Sequence, residues 1–326
     1  MDIKTLFEKF NHLTILVVGD VMIDSYVWGK VERISPEAPV PVVHVQKREQ
    51  RLGGAANVAL NIQSLGAKPI LCSVIGKDDA GDSFINILTK NTISSNGIIL
   101  DPSRTTTVKE RIIGGAQQLL RIDSEIDYEI DDQQEQSLVK KIDELLIGID
   151  AIVFEDYDKG VLTPFVIQSI ISKAITKKIP TIVDPKKRNF LNYHKATLFK
   201  PNLKEIKEGL KADIDPNNLK SIEHAVSQLK NELHVEGVLL TLSEHGVFID
   251  YEQEKHLIAA HKREITDVSG AGDTVTALAA LLLALRIPAH RMAALVNLGG
   301  GLVCQHIGVV PIKKEELFQE AIKHNI

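Results

Sequence analysis

The sequence predicts an α/β protein with a mainly parallel central sheet, helices on both of its faces, and a small antiparallel β lid beside it. Two observations carry this reading. Short apolar runs alternate with helix-length amphipathic stretches along most of the 326 residues, as expected for strands buried on both faces and joined by crossover helices. Residues 26–46 and 104–122 break that rhythm: the first is valine-rich and punctuated by Pro36, Pro39 and Pro41, and the second is rich in Thr and Ile with a Gly114-Gly115 turn. Neither fits a βα unit, and proline confines such strands to sheet edges. A hydrophobic fraction of 44% is enough to fill a large core, so disorder is excluded as the main state.

Taken in order, residues 14–19 form the first buried strand and deliver Asp20 at its carboxyl tip. Residues 54–65 read as a helix with Ala55, Val58, Ile62 and Leu65 on one face, and 69–75 as the next strand. Strands follow at 151–154, 181–183, 197–199 and 238–242, separated by helices at 133–147, 164–177 and 217–233. Two Ala/Leu/Gly-rich helices, 270–285 and 289–305, occupy the last third. No linker or repeat interrupts residues 1–326, so a single domain carrying the lid strands is expected.

Charge and cysteine content exclude several functions. With 38 Lys+Arg against 43 Asp+Glu the net charge is -5, which argues against nucleic acid as a partner. The only cysteines, Cys72 and Cys304, allow neither a disulfide framework nor a zinc ribbon. Residues 1–10 lack a signal-peptide core, and the longest apolar run, 277–285, is too short to span a bilayer. A reduced, cytoplasmic protein with no membrane partner is expected.

The strongest local signal is Asp267-Val-Ser-Gly-Ala-Gly-Asp273, running directly into an apolar helix. Small residues admit a ligand close to the backbone, and free N–H groups at a helix start favour an anion. A carboxylate at Asp273 repels such an anion unless it has chemistry to do, such as taking a proton from an attacking hydroxyl. An ordinary capped helix start is the competing reading. Gly53-Gly54-Ala-Ala-Asn57 is a second glycine-rich helix start, and Asp20 and Asp24 beside it can accept hydrogen bonds from a polyol or serve as turn residues. Neither a dinucleotide nor a P-loop fingerprint is present. Asn202-Leu203-Lys204-Glu205 is read either as a helix cap or as a holder of metal-bound water. Asp156, Lys159, Asp184 and Lys186 follow strands, where a parallel sheet binds its ligands. Lys109, Arg111, Arg121, Lys159 and Lys186 form a cationic set in an acidic protein, which points to an anionic substrate.

Gly53-Gly54-x-x-Asn57, Gly76-x-Asp78-x-x-Gly81, Asn202-x-x-Glu205 and Gly270-Ala-Gly-Asp273, in this order, resemble the ribokinase-like carbohydrate and nucleoside kinases over about residues 13–322. Within that family, residues 18–29, 33–42, 52–59, 117–123, 156–160, 183–186 and 200–202 are similar to the heptose 7-phosphate kinases of ADP-heptose synthesis. Glu155 stands where those kinases carry serine, and Ser269 where threonine is usual.

The resemblance implies transfer of the ATP γ-phosphoryl group to the anomeric hydroxyl of a heptose 7-phosphate. It makes Asp273 the base and the N–H groups of Gly270, Ala271 and Gly272 the anion hole. Leu203, Lys204, Thr241, Ser243 and Gly246 would border the nucleotide, with Asn297 near the adenine. Asn202 and Glu205 would organise Mg2+ through water, and Asp267 and Ser269 match a loop that binds K+ in relatives. Asp20, Asp24, Gly53, Gly54, Asn57, Arg111, Arg121, Asp156 and Lys159 would contact the sugar phosphate. Pairing of two chains through their lids is also implied.

Overall fold

The computed structural model describes residues 1–115, 117–261, 263–306 and 308–326. Helix α1 (Ile3–Phe10) leads into β1 (Thr14–Gly19), β2 (Val21–Ile34) and β3 (Pro41–Gly54). Then come α2 (Ala55–Ser64), β4 (Lys68–Gly76), α3 (Asp79–Lys90), β5 (Gly97–Asp101), β6 (Val108–Gly114) and β7 (Gln117–Ser124). The middle of the chain forms α4 (Asp132–Leu145), β8 (Ala151–Glu155), α5 (Pro164–Lys177), β9 (Thr181–Asp184), β10 (Leu198–Phe199), α6 (Leu203–Leu210) and α7 (Leu219–Leu233). It closes with β11 (Gly237–Thr241), β12 (Val247–Tyr251), β13 (Glu254–Ile258), α8 (Ala271–Ala284), α9 (Ala289–Val303) and α10 (Lys314–Lys323).

The main sheet has nine strands in the order β13-β12-β11-β10-β9-β8-β1-β4-β5. All pairings from β11 to β5 are parallel, and the β11–β12–β13 edge is antiparallel. Alternation along β1 shows how both faces are covered. Ile15 and Val17 face a core shared with α1, α2, α8, α9 and α10. Leu16 and Val18 face a second core built with α4, α5, α6 and α7. Helix α8 is buried almost throughout, with Leu278, Leu281 and Leu282 fully enclosed. Each such leucine contributes about 1.5–3 kcal/mol, and together they fix where the first turn of α8 points.

The second sheet has the order β3-β2-β6-β7. Its outer pairings, β2–β3 and β6–β7, are antiparallel as expected, but the middle pairing, β2–β6, is parallel. The reason is topological: β2 continues onward from β1 and β6 from β5, two strands of the same parallel sheet. The lid strands also run beyond the expected limits, because β2 begins at Val21 and β3 continues to Gly54. The buried half of β2 lies next to the main sheet, whereas the outer lid exposes Ile34 (61%) and Leu120 (53%).

Sequence reading omitted α1, α3, α10, β5 and the β12–β13 hairpin. The hairpin turns at Glu252 and Gln253, both with left-handed backbone (φ 50° and 66°). No Asn-Gly or Gly-Gly pair announced it.

Candidate active site

The two glycine-rich helix starts meet. Asn57, in the first turn of α2, donates its side-chain amide to Asp273 Oδ2 at 2.5 Å, and Asp273 lies in the first turn of α8. Tyr157 donates its hydroxyl to Asp273 Oδ1 at 2.9 Å. Asp273 is only 6% exposed, so both oxygens are oriented by protein donors. Behind them Asn61 locks the helices together. Its Oδ1 accepts from the Thr274 hydroxyl at 2.9 Å and from the Ile312 N–H at 3.0 Å.

Glycine is needed where the backbone comes closest. A Cβ at Gly53 would lie 2.3 Å from Asp24 Oδ2. Gly54 has φ 59°, and a Cβ there would lie 2.4 Å from the Asp20 carbonyl oxygen. Gly270 caps α8 in the left-handed region at φ 80°. As expected of a helix start, the N–H groups of Gly272 and Asp273 lack intrahelical acceptors. Ala271 differs: its N–H donates to the Val268 carbonyl at 3.3 Å. Its place in the expected anion hole is corrected accordingly.

Acids and lysines converge beneath this helix start. Glu155 ends β8 and Asp184 ends the neighbouring β9, at the carboxyl edge of the sheet. One carboxylate oxygen from each of Glu155, Asp184 and Asp273 lies within 4.8 Å of the others. Lys200 pairs with Asp184 Oδ2 at 2.6 Å, and the Thr276 hydroxyl donates to the same oxygen at 3.2 Å. Lys186 pairs with Glu205 at 2.7 Å and sits over the Tyr157 ring at 5.3 Å.

Burial pushes all three carboxyls upward, and their neighbours decide the net direction. Asp273 stays raised: burial is partly offset by the hydrogen bond from Asn57, with Asp184 pushing further up and Tyr157 back down. Burial also acts upward on Asp184, but Lys200 and Lys186 outweigh it and hold that carboxyl below its usual range. Glu155 is raised well above its usual value by burial and by the charges of Asp184 and Asp273.

Asp24 and Arg111 form a close pair at 2.5 Å, with the guanidinium 5.4 Å from the Tyr26 ring centre. Arg111 lies directly opposite Arg121 on the β6–β7 ladder. Asp20 is engaged otherwise: its oxygens accept the backbone N–H groups of Tyr157, Lys159 and Val161 at 2.9, 3.1 and 3.0 Å. Arg104 donates to the Lys159 carbonyl. Asp20 therefore anchors the 157–161 loop that carries Tyr157, and its expected contact with a sugar is corrected. Asp156 also turns inward, accepting from Tyr193 at 2.7 Å and from the Asp158 N–H at 2.9 Å, so it holds structure rather than substrate. Burial and the Asp20 charge raise its carboxyl to about 7.

The cationic set is largely neutralised. Lys109 and Lys159 share Glu125, at 2.7 and 2.8 Å, and Arg121 pairs with Asp123 at 2.9 Å.

On the other side of the crevice, Asn202 and Glu205 form a reciprocal capping box. Glu205 Oε2 accepts the Asn202 N–H at 2.8 Å, and its Oε1 accepts from Lys186. Both carboxylate oxygens of Glu205 thus have a partner within the chain. Leu203 and Lys204 open α6, with Lys204 pointing into solvent. Asn202 bridges Thr241, which brings that segment beside Ser243 and Gly246. Asn297 donates to the Ala259 carbonyl at 2.8 Å. Asp267 accepts the N–H groups of Ser269 and Gly308 at 2.9 and 2.8 Å, closing the loop before α8.

Sequence reasoning missed Tyr157, Lys200 and Asn61 as members of the site. Lys200 carried a signal, a lysine directly after an apolar strand. Tyr157 carried only its place after β8, and Asn61 carried none.

The pattern of the pfkB family of carbohydrate kinases matches residues 13–315. The chain is 42% identical over 295 residues to the bifunctional protein HldE of Wolinella succinogenes, covering 90% of this chain and 62% of that one. It is 39% identical over 321 residues to HldE of Methylobacillus flagellatus, covering 98% and 65%. The chain thus spans less than two thirds of the length of these relatives. In fold it is similar to Escherichia coli phosphofructokinase-2 in complex with potassium, with TM-score 0.79, 17% identity, and 96% and 98% of the two chains covered. It is also similar to Arabidopsis thaliana ribokinase complexed with ribose and ATP, with TM-score 0.71, 16% identity, and 94% and 99% covered. The chain belongs to the pfkB family of carbohydrate kinases.

Proposed function

We propose that the protein is a cytoplasmic ATP-dependent kinase that phosphorylates the C1 hydroxyl of D-glycero-D-manno-heptose 7-phosphate, giving the 1,7-bisphosphate used in ADP-heptose synthesis. The observation that carries the reading is the Asn57–Asp273 hydrogen bond. It joins a sugar-facing glycine turn to a carboxylate standing at an anion-accepting helix start.

The sugar C1 hydroxyl faces Asp273, whose carboxylate takes the proton as the oxygen attacks the γ-phosphorus. The O1–P bond forms, the bond from phosphorus to the ADP oxygen breaks, and the negative charge leaves on ADP. An anomeric hydroxyl is more acidic than an ordinary alcohol, so a carboxylate suffices as the base. The N–H groups of Gly270 and Gly272 donate to the transferring phosphoryl oxygens, and the end of α8 contributes its dipole. Asp24 and the Gly53–Gly54 turn receive the sugar. Asn202 and Glu205 would hold the waters of Mg2+, which when bound would neutralise phosphate charge. Asp267 and Ser269 are assigned to a K+ loop.

Arg111 and Arg121 are directly opposed like charges, an unfavourable cross-strand pair in isolation. Each already has a carboxylate partner, Asp24 and Asp123, and a phosphate at the far end of the sugar is assigned to the space between the two guanidinium groups. Arg121 is the cleaner probe because its side chain is 52% exposed and its partner Asp123 is itself partly exposed, whereas Arg111 neutralises the buried Asp24. Loss of one charge-assisted contact costs about 1.5–3 kcal/mol. Coupled ADP release across a panel of sugars and sugar phosphates tests the assignment. Heptose 7-phosphate is expected to exceed free heptose in kcat/KM, and Arg121→Ala to narrow the gap. Equal use of both sugars by the unmodified protein overturns it.

The exposed apolar side chains of the outer lid, Val31, Ile34, Val45, Leu120 and Ile122, support pairing of two chains through the lid.

A further inference from the structure

We propose that Arg51, on lid strand β3, is a positioning residue for the start of α8: it holds residues 308–309 where they shape the turn from Asp267 to Gly272. The link crosses 258 positions of sequence, with Arg51 Nη1 donating to the Val309 carbonyl at 3.1 Å. Beside that carbonyl, the Gly308 N–H donates to Asp267 Oδ2 at 2.8 Å. The Ser269 N–H donates to the other oxygen of Asp267 at 2.9 Å, and Gly270 then caps α8.

Packing repeats the connection. A Cβ at Gly270 would lie 3.4 Å from Val309 Cγ1 and 3.3 Å from Asn57 Nδ2. Gly270 therefore sits between the segment that Arg51 holds and the amide that donates to Asp273. A shift of residues 308–309 reaches Gly270 by contact and Asp267 through a hydrogen bond. Gly308 has left-handed backbone at φ 75°, and a Cβ there would lie 3.0 Å from Arg51 Nη1, so glycine is what lets the segment come up to the guanidinium.

The guanidinium is itself fixed. Its Nε donates to Glu49 Oε1 at 2.6 Å, and its face lies 5.0 Å from the centre of the buried Tyr26 ring. Neutralising Asp24 does not account for it. Arg51 stands opposite Asp24 on the β2–β3 ladder, yet Asp24 pairs with Arg111. Arg111 shares the Tyr26 ring at 5.4 Å, so the arginine assigned to the sugar and the arginine that holds the loop rest on one support. Donors at a helix start stabilise a transferring phosphoryl group only when they are already aimed at it. The inference rests on the reading of this helix start as the phosphoryl-accepting one.

Hydrogen exchange of the ligand-free full chain, read by mass spectrometry, tests the link without turnover. Arg51→Ala should speed exchange over residues 267–272. Arg48→Ala removes a 67% exposed cation from the same strand and should leave exchange there unchanged. Kinetics then separate positioning from a mere fastening of the lid. Arg51→Ala should lower kcat by up to about 10²-fold with little change in the KM for sugar. Arg51→Lys, which keeps a donor and a cation at Tyr26, should recover much of that loss. If the alanine variant fails to fold, Arg51→Gln, which keeps most of the stem, supplies the same comparison. Unchanged exchange over residues 267–272 overturns the proposal, as does a raised KM at normal kcat. No turnover by the unmodified protein would count against the kinase reading, and exchange would still decide the role of Arg51.

Discussion

Asp273 is a buried carboxylate held by two donors, Asn57 and Tyr157, with its charge opposed by burial and by Asp184. Asp273→Asn keeps the shape and removes the basicity. It is expected to lose ~10²–10⁴-fold in kcat while calorimetry still finds ATP bound; near-normal kcat would remove the residue from the role of base. Tyr157 gives a finer test. Its hydrogen bond favours the charged form of Asp273, so Tyr157→Phe raises the carboxyl's pKa. The base must be ionised to act, and activity falls as pH drops through that pKa. The acid limb of the kcat/KM profile should therefore move to higher pH in the phenylalanine variant. An unmoved limb with a uniformly lower rate would make Tyr157 merely structural.

At the scale of elements, the capping box at the start of α6 serves both readings given to Asn202 and Glu205. Losing the cap costs about 0.5–2 kcal/mol of stability, which melting curves will register. Activity separates the second role: Asn202→Ala and Glu205→Ala should show their largest deficit at low Mg2+. A deficit constant across a Mg2+ titration would leave only the cap. The parallel core was legible because period and length announce it; the strand at 14–19 and the helix at 164–177 lie where the pattern put them. The hairpin of β12 and β13 was not, since two non-glycine residues make its turn. In the site, Asp273 and Asn57 were legible from glycine-rich helix starts. Asp20 and Asp156 were misread because a sequence does not say whether a carboxylate faces a crevice or accepts backbone N–H groups behind it. Tyr157 was missed for the complementary reason: its partner is 116 positions away.

On the scale of the whole molecule, the lid sheet is half committed to the main body and half exposed. Arg51 donates to the Val309 carbonyl at 3.1 Å and stacks at 5.0 Å on Tyr26, which fastens the inner lid to the loop before α10. The outer strands retain an apolar surface for which a second copy is the expected cover. Sedimentation should give a dimer at micromolar concentration, and Ile34→Lys with Leu120→Lys should shift it to monomer. A fully active monomer in the unmodified protein would refute the lid interface. We propose that this crevice places a phosphoryl group on the anomeric oxygen of a sugar already phosphorylated at its far end. Phosphorus NMR of the product from ATP, Mg2+ and D-glycero-D-manno-heptose 7-phosphate tests it most directly. A second sugar phosphorus signal coupled to the anomeric proton is expected, absent with Asp273→Asn. A new phosphate on any other carbon, or none, would contradict it.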